Sequence, residues 1–500
     1  VTDARLTEDQ AVQLGRLVDV YPEARELGAA FEAAGHELHL VGGTVRDTLL
    51  AGGDEEVLEQ VDLDFATSAR PEDTERIVQP WATALWLTGA AYGTVSCQRE
   101  HPGRPTRRVE ITTFRADQYQ PGSRHPEVTY GDTIEGDLAR RDLTVNAMAV
   151  QVPEFRFIDP HGGLADLRRG VLRTPIDPHT SFTDDPLRMV RLARFAAVLD
   201  VEVEPAAAAA ATELADLLTE ISAERVRDEL VRLIGGRTPR RGLELLLATG
   251  LAEHVLPELV ELGACSDPDH RHKDVWAHTL AVIENVIELE PDGPDVVLRL
   301  AALLHDIGKP DTRQIHRDGT VTFHHHDVVG ARQTRHRLRV LRFDKDTIRD
   351  VSELVRMHLR FHTYKQGWTD AAVRRYVRDA GHLYERLNTL TRADVTTGNP
   401  RRARAIQRRV DELEARVAEL REQEELEALR PAVDGNTIMR HLGVGPGPVV
   451  GEAWQHLLEV RMERGPMSEE EALTALDAWW STHPEGGAAE TGDAGGDAGP

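Results

Sequence analysis

Up to about residue 165, short apolar runs alternate with amphipathic stretches. Leu38 to Val41, Val61 to Phe65, Gly93 to Ser96 and Arg108 to Thr113 read as strands, and the segments between them carry helical spacing. From Leu164 to about Trp480 the apolar positions recur every three or four residues, with breaks at Pro205, Pro239, Pro257 and Pro291. The pattern predicts an α/β first part and an all-α remainder. Gly263 to His272, rich in Asp, Pro and His, is the best internal boundary, and a second helical module should begin near Lys273. Ile406, Val410, Leu413, Val417 and Leu420 alternate spacings of four and three, the seam of a paired helix. A hairpin partner within the chain accounts for that seam more simply than a second copy. Pro484 to Pro500, mostly Gly, Ala, Asp and Glu, has nothing to bury and should be disordered.

These breaks divide the 500 residues into a head (1–165), a neck and body (166–262), a second module (273–400), a helical tail (401–483) and a terminal stretch (484–500). No apolar run approaches the roughly 20 residues of a membrane helix, so no membrane partner is expected. Val1 to Gln10 carries Asp3, Glu8 and Asp9 in place of a basic, then apolar, leader. Two distant cysteines, Cys97 and Cys265, form neither a disulfide framework nor a metal pair, and a cytoplasmic, reducing location is expected.

A net charge of −26 argues superficially against a nucleic-acid partner. The distribution changes that picture. Of 59 basic residues only Lys273, Lys309, Lys345 and Lys365 are lysine; the rest are arginine, suited to bidentate phosphate and base contacts. They cluster at Arg104 to Arg108, Arg140-Arg141, Arg188 to Arg194, Arg374 to Arg378 and Arg401 to Arg409, while acid concentrates elsewhere, as in Asp411 to Glu427. An RNA-binding face on an acidic body is compatible with this chain.

Leu40-Val41-Gly42-Gly43-Thr44-Val45-Arg46-Asp47 reads as a strand ending in two glycines and a helix start. Such a turn lets backbone N–H groups approach a phosphate, and Arg46 adds positive charge; alone, it is also simply a tight turn. About 20 residues on, Val61-Asp62-Leu63-Asp64-Phe65 puts Asp62 and Asp64 on one face of a strand. Solvated carboxylates are the bland alternative, but two like charges this close are relieved by a divalent cation. Beside a phosphate-cradling turn, the pair suits two Mg²⁺ ions that activate a hydroxyl and hold a triphosphate. Glu110 is a further carboxylate that either joins them or pairs with an arginine. Asp137 to Ala147 places Arg140 and Arg141 beside acid, either fixing a loop or touching triphosphate. In Asp184-Asp185-Pro186-Leu187-Arg188, followed by Arg191 and Arg194, arginines three apart line a helix; capping also accounts for the aspartates.

These segments, with Gly93-Thr94-Val95 and Asn146-Ala147, match in order and spacing, and over roughly residues 35 to 235 the chain resembles class II CCA-adding enzymes and the related bacterial poly(A) polymerases of the polymerase β superfamily. The resemblance implies an α/β nucleotidyltransferase head with a polymerase β-like palm, an all-α neck and body, and a helical tail. It implies that Asp62 and Asp64 hold catalytic Mg²⁺, and that Gly43, Arg46 and Arg141 contact the triphosphate. Asp185 and Arg188 would pair with the base edge, selecting C or A without a nucleic-acid template, with Arg191 and Arg194 in the same nucleotide-binding helix. Where the family has Glu before this Asp, Asp184 stands here with a shorter reach. Glu224-Arg225 resembles the family's neck helix, and Met439 to Gly451 its RNA-holding tail, where a glycine-rich interhelical turn is the alternative. The implied partners are a tRNA 3′ end, CTP and ATP; the oligomeric state is not legible.

His278, His305-Asp306 and Asp394 recur in helical surroundings, sharpest in Leu303 to Lys309. Imidazoles with two carboxylates suit Mn, Fe, Ni, Co or Mg better than a structural zinc cage. In this order they resemble the HD phosphohydrolase superfamily, which implies an all-α HD domain and a metal-activated water attacking a phosphoester. His326 and His358 could add a second metal, while His324, His325 and His362 read as polar surface. A poly(A) polymerase, or a CC- or A-adding enzyme, shares every head motif. In a rival of another class the HD module is the working enzyme and the head an RNA-binding remnant; intact Asp62 and Asp64 count against it.

Overall fold

The computed structural model describes residues 6–8, 10–12, 14–15, 21–51, 63–100, 106–115, 130–265, 275–363, 368–396, 399–424 and 432–484. Asp62, the start of the second module near Lys273 and residues 485–500 of the terminal stretch lie outside them. The chain divides into two compact units, 1–264 with 337–344, and 265–336 with 345–500.

The first unit opens on helix α1 (Pro22–Ala33) and a seven-stranded sheet of β1 (Leu38–Val41), β2 (Leu63–Thr67), β3 (Ala84–Trp86), β4 (Thr94–Arg99), β5 (Arg107–Thr113), β6 (Ala149–Val152) and β7 (Arg156–Ile158). The strand order is β3-β4-β5-β2-β1-β6-β7, with β2 and β5 parallel and every other neighbouring pair antiparallel. Alternation sorts the side chains. Leu38, Leu40, Leu63, Phe65, Val95, Cys97, Val109 and Ile111 form one core with Leu27 and Phe31 of α1 and Val78. On the other face, Val41, Ala66 and Ala149 pack with Phe114, Ile134 and Leu138. Beyond that smaller core the same face carries Asp64, which is exposed.

The Gly42-Gly43 turn leads directly from β1 into α2 (Gly43–Ala51), and α3 (Pro71–Val78) follows β2. A short helix α4 (Ile134–Ala139) precedes the arginine pair Arg140-Arg141. The rest of the unit is mainly helical, centred on α5 (Leu187–Leu199), with Met189, Val190, Leu192, Ala193, Ala196 and Ala197 buried, and on α6 (Ala223–Ile234). Pro205, Pro239 and Pro257, which break the apolar pattern, each occupy the first position of a helix, where no amide donor is needed.

In the second unit the elements that matter are α7 (Val275–Leu289), α8 (Val296–Leu304), α9 (His326–Val340), α10 (Lys345–Met357), α11 (Tyr384–Ala393) and α12 (Pro400–Glu424). Val410, Leu413, Val417 and Leu420 on α12 are buried, and Arg392 of α11 pairs with Glu414 of α12 at 2.7 Å, so the seam packs within the chain. Gly443, glycine-rich in its surroundings, is the left-handed cap of helix Gly435–Leu442, and Pro448 starts the next helix. No helix among the described residues is long and apolar enough to cross a membrane.

Candidate functional site

At the end of β1, Gly42 adopts φ +70, and a Cβ built there would stand 3.0 Å from Nη1 of Arg141. Glycine both permits the left-handed turn and lets a guanidinium lie against it. The turn delivers Thr44 to the start of β2, where the backbone N–H of Asp64 approaches Thr44 Oγ1 at 3.4 Å. In the parallel β2–β5 pair, Asp64 stands directly beside Glu110, so the two carboxylates share a face. Glu110 also pairs with Arg108 at 3.1 Å.

Arg46 does not project freely from the turn. Asp47 accepts from its Nε and Nη2 at 2.8 Å each, and Asn146 Oδ1 accepts from Nη1 at 2.5 Å. Asp142 accepts from Asn146 Nδ2 at 3.0 Å, from the Leu143 N–H at 2.8 Å, and from Arg191 Nε and Nη2 at 2.9 and 2.6 Å. Burial opposes ionisation of Asp142, but Arg191 and these donors win and hold its carboxyl down to about 2. Glu229 of α6 closes the chain, 3.4 Å from Arg191 Nη1 and 2.9 Å from Arg194 Nε. Burial, with the neighbouring Arg191, lowers Arg194 to about 10 against the pull of Glu229. The guanidinium carbons of Arg194, Arg46 and Arg191 lie 4.0, 5.1 and 5.7 Å from the Phe195 ring centroid. A continuous polar and aromatic network thus joins the Gly-Gly turn to the two central helices of the body.

The arginine pair of the Asp137 motif grips Asp137, which is buried. Arg140 Nη2 lies 2.7 Å from Oδ1, and Arg141 Nη2 3.1 Å from Oδ2. Burial would raise that carboxyl, yet Arg141 and Arg140 bring it below the usual range. The side chains of Asp185 and Arg188 go to different partners, although the Arg188 backbone N–H donates to the Asp185 carbonyl at 3.0 Å. Asp185 faces Arg225 of α6 at 3.1 Å, whereas Arg188 donates to the Ser181 carbonyl and hydroxyl at 3.2 and 3.0 Å and to the Arg140 carbonyl. Sequence reasoning gave no role to Asp142, Glu229 or Phe195. Asp142 and Phe195 sit inside recognised motifs, but nothing in one sequence says that Glu229, on a different helix, meets them.

The second unit brings six expected residues into two adjoining groups. His278, His305 and Asp394 form one; Asp306, His326 and His358 form the other, with candidate donor atoms in each group within 4.8 Å of one another. His278 Nε2 lies 3.1 Å from Asp394 Oδ1 and 3.1 Å from His305 Nε2. Asp306 stands between the groups: Oδ2 is 3.2 Å from His305 Nε2, and Oδ1 is 3.3 Å from His326 Nε2. His326 and His358 present Nε2 atoms 3.2 Å apart. Every Nδ1 is engaged elsewhere: by the Ala302, Phe323 and Val355 carbonyls for His305, His326 and His358, and by Thr396 Oγ1 for His278. Carbonyls accept only from N–H, so the three histidines bonded to them are protonated on Nδ1 and, when neutral, direct lone pairs from Nε2 inward, as metal ligation requires.

Chain geometry explains the convergence. His305 caps α8, Asp394 caps α11, His358 follows α10, and His326 opens α9. The next residue after Asp306-Ile307 must be small: a Cβ on Gly308 would meet the His326 carbonyl at 2.3 Å and the Gly330 nitrogen at 2.6 Å. Without a cation, burial would lower His305, but Asp306 and Asp394 lift it to about 9, while burial and His305 push His358 down to about 4. Lys309 Nζ adds one contact, 2.7 Å from Asp306 Oδ2. His324 and His325 are exposed, as expected of polar surface.

Comparison with known proteins assigns the regions. Residues 38–173 match the poly A polymerase head domain, 200–262 the probable RNA and SrmB-binding site of polymerase A, and 275–399 the HD domain. The chain is 35% identical over 363 residues to an A-adding tRNA nucleotidyltransferase of Deinococcus radiodurans, covering 71% of this chain and 81% of that one. It is 37% identical over 244 residues to the CCA-adding enzyme of Levilactobacillus brevis, an alignment covering 49% of this chain and 57% of the relative. The Bacillus stearothermophilus CCA-adding enzyme, solved in complex with CTP, superposes with a TM-score of 0.68 at 25% identity, covering 92% of this chain and 97% of that one. A matching head domain, a helical body and an HD domain in this order, with 35% identity over most of a tRNA nucleotidyltransferase, make the chain a member of the nucleotidyltransferase family of class II CCA-adding enzymes and bacterial poly(A) polymerases.

Proposed function

We propose that this chain is a tRNA nucleotidyltransferase that adds C, A or both to tRNA 3′ ends from CTP and ATP, with protein groups in place of a nucleic-acid template. The observation that carries this reading is the seating of Asp64 against the Gly42-Gly43 turn through Thr44, on an open sheet face and beside Glu110. Two adjacent carboxylates on one face suit hard divalent ions, and Asp62 and Asp64 would hold the Mg²⁺. Bound there, the ions supply acidification of the RNA 3′-hydroxyl and neutralisation of the triphosphate. In this reading the N–H groups around Gly43, with Arg46 and Arg141, grip the triphosphate, and the Asp47–Asn146 clamp aims Arg46. Asp185 and Arg188 read the base edge, the incoming nucleotide replacing the Arg225 and Ser181 contacts. Arg191 and Arg194 hold the floor of that pocket through Asp142, Glu229 and Phe195. Residues 1–165 serve as the catalytic head, 166–262 as neck and body, 273–400 as the HD domain and 401–483 as the RNA-holding tail.

A second activity is supported by one specific observation: six ligand-type side chains converge in the HD module, with Asp306 shared between two triads. The donor set fits a pair of divalent ions of the Mn, Fe, Ni, Co or Mg kind, held by His278, His305, Asp306 and Asp394 and by Asp306, His326 and His358. Such ions supply a nucleophilic water for phosphoester hydrolysis.

The deciding experiment incubates the protein with Mg²⁺ and CTP, ATP or both, on tRNA transcripts ending before CCA, after C and after CC. Addition that stops at CCA, or at a C or A step, supports the reading. A long ladder with ATP alone makes the chain a poly(A) polymerase, and no extension overturns the transferase assignment in favour of the HD module.

A further inference from the structure

The register across one half of the sheet aligns four residues. Asp64 of β2 pairs with Glu110 of β5, Glu110 with Ser96 of β4, and Ser96 with Trp86 of β3. Residues paired across a sheet point to the same side, so these four form a row on the Asp64 face, while the neighbouring Leu85 packs on the opposite core. Three strand spacings put Trp86 about 14 Å from Asp64. Trp86 is on the edge strand and 40% exposed, and Tyr92 nearby in sequence is 51% exposed. Between Trp86 and the carboxylates the face bears short or polar side chains: Ser96, which is buried, the bonded and partly buried pair Thr94 and Thr112, and Arg108, which is exposed.

We propose that Trp86 is the platform on which a base of the single-stranded RNA 3′ end stacks, upstream of the terminal nucleotide whose hydroxyl reacts at Asp64. The inference rests on the nucleotidyltransferase reading above. Continuity with the catalytic face identifies the occupant, since a strand whose end lies at Asp64 must leave across one side of this sheet. An exposed indole at the end of a row of hydroxyl side chains, with an arginine at its margin, suits a base and its phosphate. Stacking also tolerates any base, and that tolerance is what a substrate needs when its 3′ sequence changes with every addition.

The test compares wild type, Trp86→Ala and Trp86→Phe on a tRNA transcript ending in CC with 2-aminopurine at the nucleotide before CC. Steady-state ATP addition and 2-aminopurine fluorescence on binding are both recorded. Trp86→Ala should raise KM for tRNA roughly five- to hundredfold, the range for losing one stacked base, with KM for ATP unchanged. Trp86→Phe should stay near wild type. Fluorescence should be quenched on binding wild type and Trp86→Phe but not Trp86→Ala. A tRNA KM within twofold of wild type, equal quenching in all three proteins, or a parallel rise in both KM values overturns the platform. A wild-type protein that extends no RNA end overturns the underlying transferase reading instead.

Discussion

Asp142 is where the network between the Gly42-Gly43 turn and the body is most exposed to a single change. It is 7% exposed and accepts from Leu143, Asn146 and Arg191, and its carboxyl is held from an ordinary 3.8 down to about 2. That displacement corresponds to about 2 kcal/mol of stabilisation at neutral pH. Asp142→Asn keeps an oxygen acceptor for Leu143 and Asn146 but turns an amide donor towards Arg191, so about 2 kcal/mol should be lost. Asp142→Ala also strands Asn146, the anchor of Arg46. Its cost should reach about 3–4 kcal/mol, the lower part of the range for breaking a buried pair, because Glu229 remains beside Arg191.

Hydrogen exchange of the amides in α5 and α6 reads this locally, avoiding a single unfolding midpoint for a chain with two units. Nucleotide affinity should fall about tenfold in Asp142→Ala, as expected for loosening one charged hydrogen bond, and little in Asp142→Asn. The folded pKa lies below the unfolded value. The Asp142 contribution is therefore complete above about pH 4 and is lost as pH falls towards about 2, a limb missing from Asp142→Asn. A loss below about 1 kcal/mol in Asp142→Ala, or unchanged nucleotide affinity, refutes the proposed coupling.

Asp64→Asn should abolish nucleotide addition while tRNA binding and the circular dichroism spectrum stay intact; retained addition removes Asp64 from the metal site. Arg188→Ala should blur the choice between CTP and ATP more than it weakens triphosphate binding, measured as the ratio of kcat/KM values, and unchanged selectivity takes it out of base recognition. Removing bound metal with a chelator, or replacing His305 by Ala, should eliminate phosphoesterase activity on a generic substrate. With Mg²⁺ present, His305→Ala should leave nucleotide addition unaffected; loss of both activities means that the two sites are not independent.

Local periodicity and local chemistry were enough to mark much of this molecule. The alternation around Leu38 to Val41 and Arg108 to Thr113 gave strands at those places, and the three- and four-residue spacing after Leu164 gave helices. The Gly42-Gly43 turn followed from residues adjacent in sequence, because a left-handed φ and a helix start are short-range properties. His278, His305, Asp306 and Asp394 were legible as candidate ligands because the residue types are rare together and the His-Asp pair is contiguous, and the fold brings them close to one another. The placement of β2 beside β5, which sets Asp64 against Glu110, was not legible: strand order depends on which faces bury best together, not on any one strand. The partners of Asp185 and Arg188 were not legible either, since Arg225 and Ser181 compete for them only after the helices have packed. Glu229 and the Phe195 ring join residues 46, 142, 191 and 194 into one network through contacts up to 149 positions apart in sequence, from Arg46 to Phe195, and only tertiary packing brings such groups within a few ångströms.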